Sequence, residues 1–161
     1  MSQEINIKNI NQISPWRFKE AASPHFAAEN IGKEIDYLEV LKFCSQSISQ
    51  AISQTNSNQT LLIETAGGIM TPINYKKTFL DLAADLKIKV LLITANYLGS
   101  ISHTLSVVEC LKNKKIFIEK IIVNQNLPLI LAEKKCQKIN QTIEKMSGIP
   151  TTDLSDFISQ F

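Results

Sequence analysis

The chain has 161 residues, 44% of them hydrophobic and 20% charged, and a formal net charge of +2. That length suits one domain with a substantial core, and so small a charge gives neither nucleic acid nor a membrane surface an electrostatic case. Three cysteines far apart in sequence (Cys44, Cys110, Cys136) and two histidines argue against a Cys/His zinc site and read as buried, reduced thiols.

The opening MSQEINIKNINQ is polar and lacks the apolar core of a signal peptide. Residues 1–15 read as an extended lead-in ending at Ser14-Pro15. No run approaches the ~18 apolar residues of a membrane span, so a soluble, cytoplasmic protein is expected. From Glu34 to Gln54 the apolar positions Ile35, Leu38, Leu41, Phe43, Cys44, Ile48 and Ile52 follow helical spacing. TNSNQT (55–60) then reads as a loop. Three apolar runs of strand length follow, Thr60–Glu64, Lys89–Ala95 and Lys120–Val123. Helical patterns at Thr78–Lys87 and Ser102–Lys112 separate them, and a last helix, Leu129–Met146, stops at Gly148 with Pro150 beyond.

Strands that are apolar throughout and flanked by helices indicate a mostly parallel sheet covered on both faces, a doubly wound α/β class. Three strands are few for such a sheet, where four to six are usual. The polar early segment offers only INIKNI (5–10), short and alternating, as a fourth.

In open α/β sheets ligands sit beyond the carboxyl ends of the strands. Three loops lie there, ETAGGIMTP, ANYLGSISHT and NQNLP. Glu64 is either a ligand for a hard cation such as Mg²⁺ or a solvated, capping acid. Gly67 and Gly68 either let the backbone approach a phosphate or carboxylate, or simply make the turn. Gly99–Thr104 runs into a helix and is either an anion site or ordinary serine capping. The amides Asn124-Gln125-Asn126 either read a nucleobase edge or shape a turn. A triphosphate site on such a sheet needs G-x-x-x-x-G-K-[ST]. Of the five glycines (32, 67, 68, 99, 148) only Gly32 precedes a lysine, with Glu34 in place of Ser/Thr and Ala27 in place of the first glycine, so no P-loop is present in these residues.

WRFKEAASPHFAAENIGKEID (16–36), LLIETAGGIMTPI (61–73), VLLITANYLGSISHTLSVVECL (90–111), IIVNQNLP (121–128) and Ile149-Pro150, in that order, resemble the C-terminal part of dethiobiotin synthase. That family makes the ureido ring of dethiobiotin from 7,8-diaminononanoate, CO₂ and ATP. The resemblance spans residues 16–150, leaving 151–161 as a C-terminal tail within one domain, and implies a sheet of the P-loop NTPase type lacking its P-loop strand. It further implies Mg²⁺ at Glu64, ATP against Glu64, Thr65, Ala66, Gly67, Asn124, Ile149 and Pro150, and substrate against Ser23, Gly67, Gly68, Leu98, Gly99, Ser100 and Ser102. The Leu98–Ser102 loop would hold the substrate carboxylate across a homodimer interface. Three residues depart from the family pattern: Thr65 for a glycine, Gln125 for an aspartate and Ser102 for an asparagine.

The family's opening segment, which carries the P-loop, two catalytic lysines and a metal-binding aspartate, has no counterpart in these residues. Phosphoryl transfer depends on charge neutralisation, one such group being worth ~3 kcal/mol or more. The chain by itself is therefore expected to be inactive or nearly so. By the resemblance, the P-loop strand lies between the strands matching 60–64 and 90–94. Its absence leaves three resolutions: the sheet closes, a second P-loop-bearing chain inserts the strand, or INIKNI substitutes for it. Three functions are open: a dethiobiotin synthase needing a partner that carries the P-loop, a non-catalytic dimeric interaction or regulatory subunit, or a degenerate remnant of the family.

Overall fold

The computed structural model describes residues 10–53, 60–125 and 133–160. After a 3₁₀ turn at Ile10–Gln12 comes α1, Pro24–Glu29, whose proline at N1 has the φ a helix start needs. Helix α2, Tyr37–Ser53, buries Tyr37, Val40 and Cys44, the i, i+3, i+7 stripe of one helical face. A hairpin follows, β1 (Pro72–Asn74) antiparallel to β2 (Lys77–Thr78). Asn74 makes its turn: the side-chain oxygen accepts from the Lys76 and Lys77 amides at 2.9 and 3.0 Å, and Nδ2 donates to the Ile35 carbonyl at 3.0 Å.

Helix α3, Phe79–Leu86, starts with a capping box between Thr78 and Asp81 and ends at Lys87 with φ 53°. The remaining elements are β3 (Val90–Ala95), α4 (Ser100–Asn113), β4 (Ile118–Asn124), α5 (Glu133–Ser147), β5 (Thr151–Asp153) and α6 (Leu154–Ile158). The strands form a parallel sheet in the order β3-β4-β5, with Ile93 beside Ile122, Ala95 beside Asn124, and Val123 beside Asp153. Successive residues Ile121, Ile122 and Val123 of β4 are all essentially buried, so both sheet faces are covered at its centre. Each such side chain contributes roughly 1.5–3 kcal/mol by its removal from water. This is the α/β architecture with a parallel sheet expected for the P-loop NTPase type.

The apolar interior is divided. Leu92, Val108, Leu111, Ile121, Ile143 and Ile149 belong to one cluster around the sheet. Ala28, Ile35, Tyr37, Val40 and Ile73 belong to a second, with Ile63 packed against it. Helix α3 joins them, with Leu80 in the first and Leu82 in the second.

Several expectations need correction. Thr60–Glu64 is not a strand, and Leu62 within it is 74% exposed. An extended apolar run becomes a strand only when a neighbour pairs its backbone, and no such neighbour exists among the described residues. The third parallel strand is instead β5, which with α6 occupies the stretch read as a tail. Helix α4 begins two residues before the expected Ser102, and the glycine at its cap position leaves it without a side-chain cap hydrogen bond, so serine capping is not what Ser100 or Ser102 does. Leu38 and Ile52 of α2, expected on the packed face, are exposed. The expected loop 55–59, the INIKN part of the substitute strand, Asn126–Pro128, the first residues of the expected last helix and the Cys136 side chain lie outside the described residues. Among the described residues no helix is long and apolar enough to cross a membrane.

Candidate functional site

Two of the loops seen in the sequence have defined, different geometries. The first, Glu64–Gly68, is exposed throughout. Thr65 Oγ1 donates to the Gly67 carbonyl at 2.8 Å, and the Gly67 amide donates to the Thr65 carbonyl at 3.1 Å. Leu80 N, at the start of α3, donates to the Ile69 carbonyl at 2.7 Å and anchors the turn to that helix. Gly67 has φ 104°, and a Cβ there would stand 2.7 Å from Thr71 Oγ1, so only glycine fits. Thr65, the departure from the family's glycine, thus braces the turn through its hydroxyl.

The second loop leaves β3 and enters α4. The helix N-terminus carries the positive end of its dipole. Beneath it Asn96 and Ser100 are buried, 4% and 1% exposed, and neither Asn96 side-chain atom nor Ser100 Oγ has a hydrogen-bond partner. Such atoms cost roughly 1–3 kcal/mol each when left unpaired. An unpaired donor set at a helix N-terminus is what an anionic ligand group would satisfy. Above it Leu98 is 96% exposed, Gly99 has φ 100°, and Ser102 faces outward. Tyr97 Oη and His103 Nδ1 lie 2.8 Å apart, as do Thr94 and Thr104 hydroxyls at 2.9 Å. The Tyr97–His103 pair, Thr94, Thr104 and Asn124 line one cavity of about 380 Å³ with Leu92, Ile93, Ala95 and Val107. The structure therefore brings Asn124, from the third of the loops seen in the sequence, together with the β3–α4 loop.

The other sequence candidates are distributed differently. Ser23 Oγ lies 3.0 Å from His25 Nδ1 at the start of α1. Ile149 is buried in the sheet cluster, and the Pro150 carbonyl accepts from the Ile121 amide at 2.9 Å. Their side chain and carbonyl thus serve the sheet. Gln125 donates to Asp153 Oδ1 at 2.5 Å, and Asn140 donates to the same oxygen at 2.7 Å, tying the ends of β4 and β5 together. Among the described residues no group of three His, Cys, Asp or Glu is placed to hold a metal, so Glu64 can supply one ligand to a cation but no complete site. Sequence reasoning missed Asn96, an amide that follows the last apolar residue of β3 directly; its position was visible and its unpaired burial was not.

A family model described as an AAA domain (AAA_26) matches residues 5–152. A protein of Acidiphilium cryptum (strain JF-5) named ATP-dependent dethiobiotin synthetase is 36% identical over 128 residues, 80% of this chain and 55% of its own length. The chain belongs to the dethiobiotin synthase family. A Legionella pneumophila (strain Paris) protein of the same name is 36% identical over 77% of this chain and 56% of its own length. One from Lysinibacillus sphaericus is 34% identical over 96% of this chain and 63% of its own length. The chain spans little more than half the length of these family members.

Proposed function

We propose that this chain takes part in the ATP-dependent synthesis of dethiobiotin in biotin biosynthesis, holding the substrate while other polypeptide supplies the grip on the nucleotide phosphates. The single observation that supports the reading is at the β3–α4 junction, where the side chains of Asn96 and Ser100 are buried without hydrogen-bond partners at a helix N-terminus. The carboxylate of 7,8-diaminononanoate satisfies those donors and the helix dipole together. Leu98, almost wholly exposed at the tip of this loop, supports its coverage by a second copy in a homodimer.

Magnesium and ATP are the family's cofactors, and these residues do not make a complete site for them. Among the described residues Glu64 belongs to no group of three His, Cys, Asp or Glu that could hold a metal, and no G-x-x-x-x-G-K-[ST] occurs in the 161 residues. The chain's own contribution to the chemistry is positional. It fixes the substrate's acid end at Asn96 and Ser100 and presents the braced Thr65–Gly68 turn at a defined place on α3. Holding a substrate in register can account for several kcal/mol of barrier lowering once the phosphate-binding groups are present.

Titration calorimetry tests this. Diaminononanoate should bind the 161-residue chain saturably, and Mg²⁺-ATP should give no comparable heat. Tight Mg²⁺-ATP binding with no diaminononanoate binding would overturn the division of labour.

A further inference from the structure

Resting on the proposed function, we infer that His103, its ring proton fixed on Nε2 by Tyr97, donates to the acid end of the substrate and makes the β3–α4 junction select a carboxylate over a neutral amide. Side chains on a helix lean toward its N-terminus. His103, in the first turn of α4, leans back over the residue at the cap position: a Cβ at Gly99 would stand 3.6 Å from its Cε1 and 3.8 Å from its Nε2. The Cε1–Nε2 edge of the ring therefore lies at the helix N-terminus. The other ring nitrogen is engaged, with Nδ1 2.8 Å from Tyr97 Oη and the two ring centroids 5.6 Å apart.

That contact decides the tautomer. A phenol O–H is a donor and a neutral imidazole nitrogen a good acceptor, so Tyr97 donates to Nδ1 and the ring carries its own proton on Nε2. Among the described residues Nε2 has no hydrogen-bond partner. Around it the junction is rich in donors. The Ser100 amide is held by the Tyr97 carbonyl at 3.1 Å and the His103 amide by the Gly99 carbonyl at 3.0 Å, while helix geometry leaves the Ile101 and Ser102 amides no intrahelical acceptor. The cavity that Tyr97 and His103 line has no Asp, Glu, Lys or Arg in its wall, so no charge of the chain's own meets the imidazole there. A carboxylate accepts at both oxygens and matches such a set, whereas a carboxamide of the same shape turns an NH₂ toward donors. The unpaired Asn96 amide can present either its oxygen or its nitrogen, and the Ser100 hydroxyl can rotate. The Nε2 proton cannot reverse while Tyr97 holds Nδ1. His103 is thus the side chain that sets the preference, and Tyr97 is its positioning residue.

The probes are hexanoate, the acid end of the substrate without its amines, and hexanamide, each titrated by NMR into the full 161-residue chain. The unaltered chain should bind hexanoate about tenfold or more tightly than hexanamide. His103→Phe, at an exposed position, should keep the Tm and lose that preference. Tyr97→Phe, which keeps the ring and removes the hydroxyl, should reduce the preference by a smaller factor. Nitrogen NMR of the histidine rings reads the tautomer directly: the signal that His103→Phe removes should be the Nε2–H form, and Tyr97→Phe should mix the two forms. The inference is overturned by an Nδ1–H ring at His103, by no hexanoate binding, by equal binding of the two probes, or by a tautomer or preference that these substitutions leave unchanged. The expected preference in a chain that does not bind diaminononanoate counts against the proposed function alone. Diaminononanoate binding that ignores His103→Phe counts against the role of His103 alone.

Discussion

Replacing Asn96 by leucine should make the unliganded chain more stable and a poorer binder. Asn96 is 4% exposed, and both its amide nitrogen and oxygen are unpaired. Its burial therefore carries a desolvation penalty of roughly 1–3 kcal/mol that no hydrogen bond offsets. Leucine has a similar shape and carries no such penalty, and it adds apolar contact next to Ala95 and the start of α4. Allowing for imperfect fit, a gain of about 1–2 kcal/mol is expected, which for a domain of this size raises Tm by about 2–8 °C. The same change removes a donor that the proposed site offers to the substrate carboxylate, so diaminononanoate affinity should fall by about tenfold or more. Differential scanning calorimetry and titration calorimetry on the same samples read both effects. A lower Tm, or unaltered affinity, would show that Asn96 is an ordinary structural amide and that the β3–α4 junction does not hold the ligand.

Three further outcomes follow from the same geometry. Leu98→Asp should convert the proposed homodimer to a monomer by light scattering, because a charge placed at the tip of the β3–α4 loop cannot be buried against a second copy; an unchanged mass would overturn the proposal that this loop meets a second copy. Gly67→Ala should destabilise the chain by about 1–3 kcal/mol in urea melts, since φ 104° and a 2.7 Å approach to Thr71 Oγ1 leave no room for a methyl group; Gly68→Ala, with nothing within 4 Å of its added Cβ, is the matched control. The Asp81 carboxyl is held below its ordinary range, chiefly by the hydrogen bond from the Thr78 amide, with the Thr78 hydroxyl and Lys114 adding to the effect against a burial contribution of opposite sign. A lowered folded-state pKa means that this stabilisation is present above the ordinary carboxylate value and is lost as pH falls through the folded value. Asp81→Ala should therefore cost about 1 kcal/mol at neutral pH and little in strong acid, read from urea melts across the pH range.

Much of the sheet was legible because its signals are local. The apolar runs read at Lys89–Ala95 and Lys120–Val123 fall on β3 and β4, and the Thr78 cap of α3 needs only a threonine and an acid three residues on. What failed was tertiary. Thr60–Glu64 has the composition of a strand, yet composition cannot supply the neighbour whose backbone it would need. β5 is three polar residues after a proline, and only its place beside Ile121–Val123 makes it a strand. The β1–β2 hairpin depends on Asn74 reaching the Ile35 carbonyl, 39 residues away in sequence. The candidate site divides in the same way. The glycine turn and the loop before α4 stand out in the sequence, but the unpaired burial of Asn96 and Ser100 exists only in three dimensions. Of the thiols expected to be buried, Cys44 is, and burial pushes it up, which keeps it protonated; Cys110 is only partly buried, and the Cys136 side chain lies outside the described residues.

The most direct measurement is dethiobiotin formation from diaminononanoate, bicarbonate and Mg²⁺-ATP, followed by mass spectrometry with the purified 161-residue chain alone and after addition of a separate polypeptide carrying G-x-x-x-x-G-K-[ST]. The account predicts no product above background from the chain alone and clear product from the mixture. Ordinary turnover by the chain alone would contradict it.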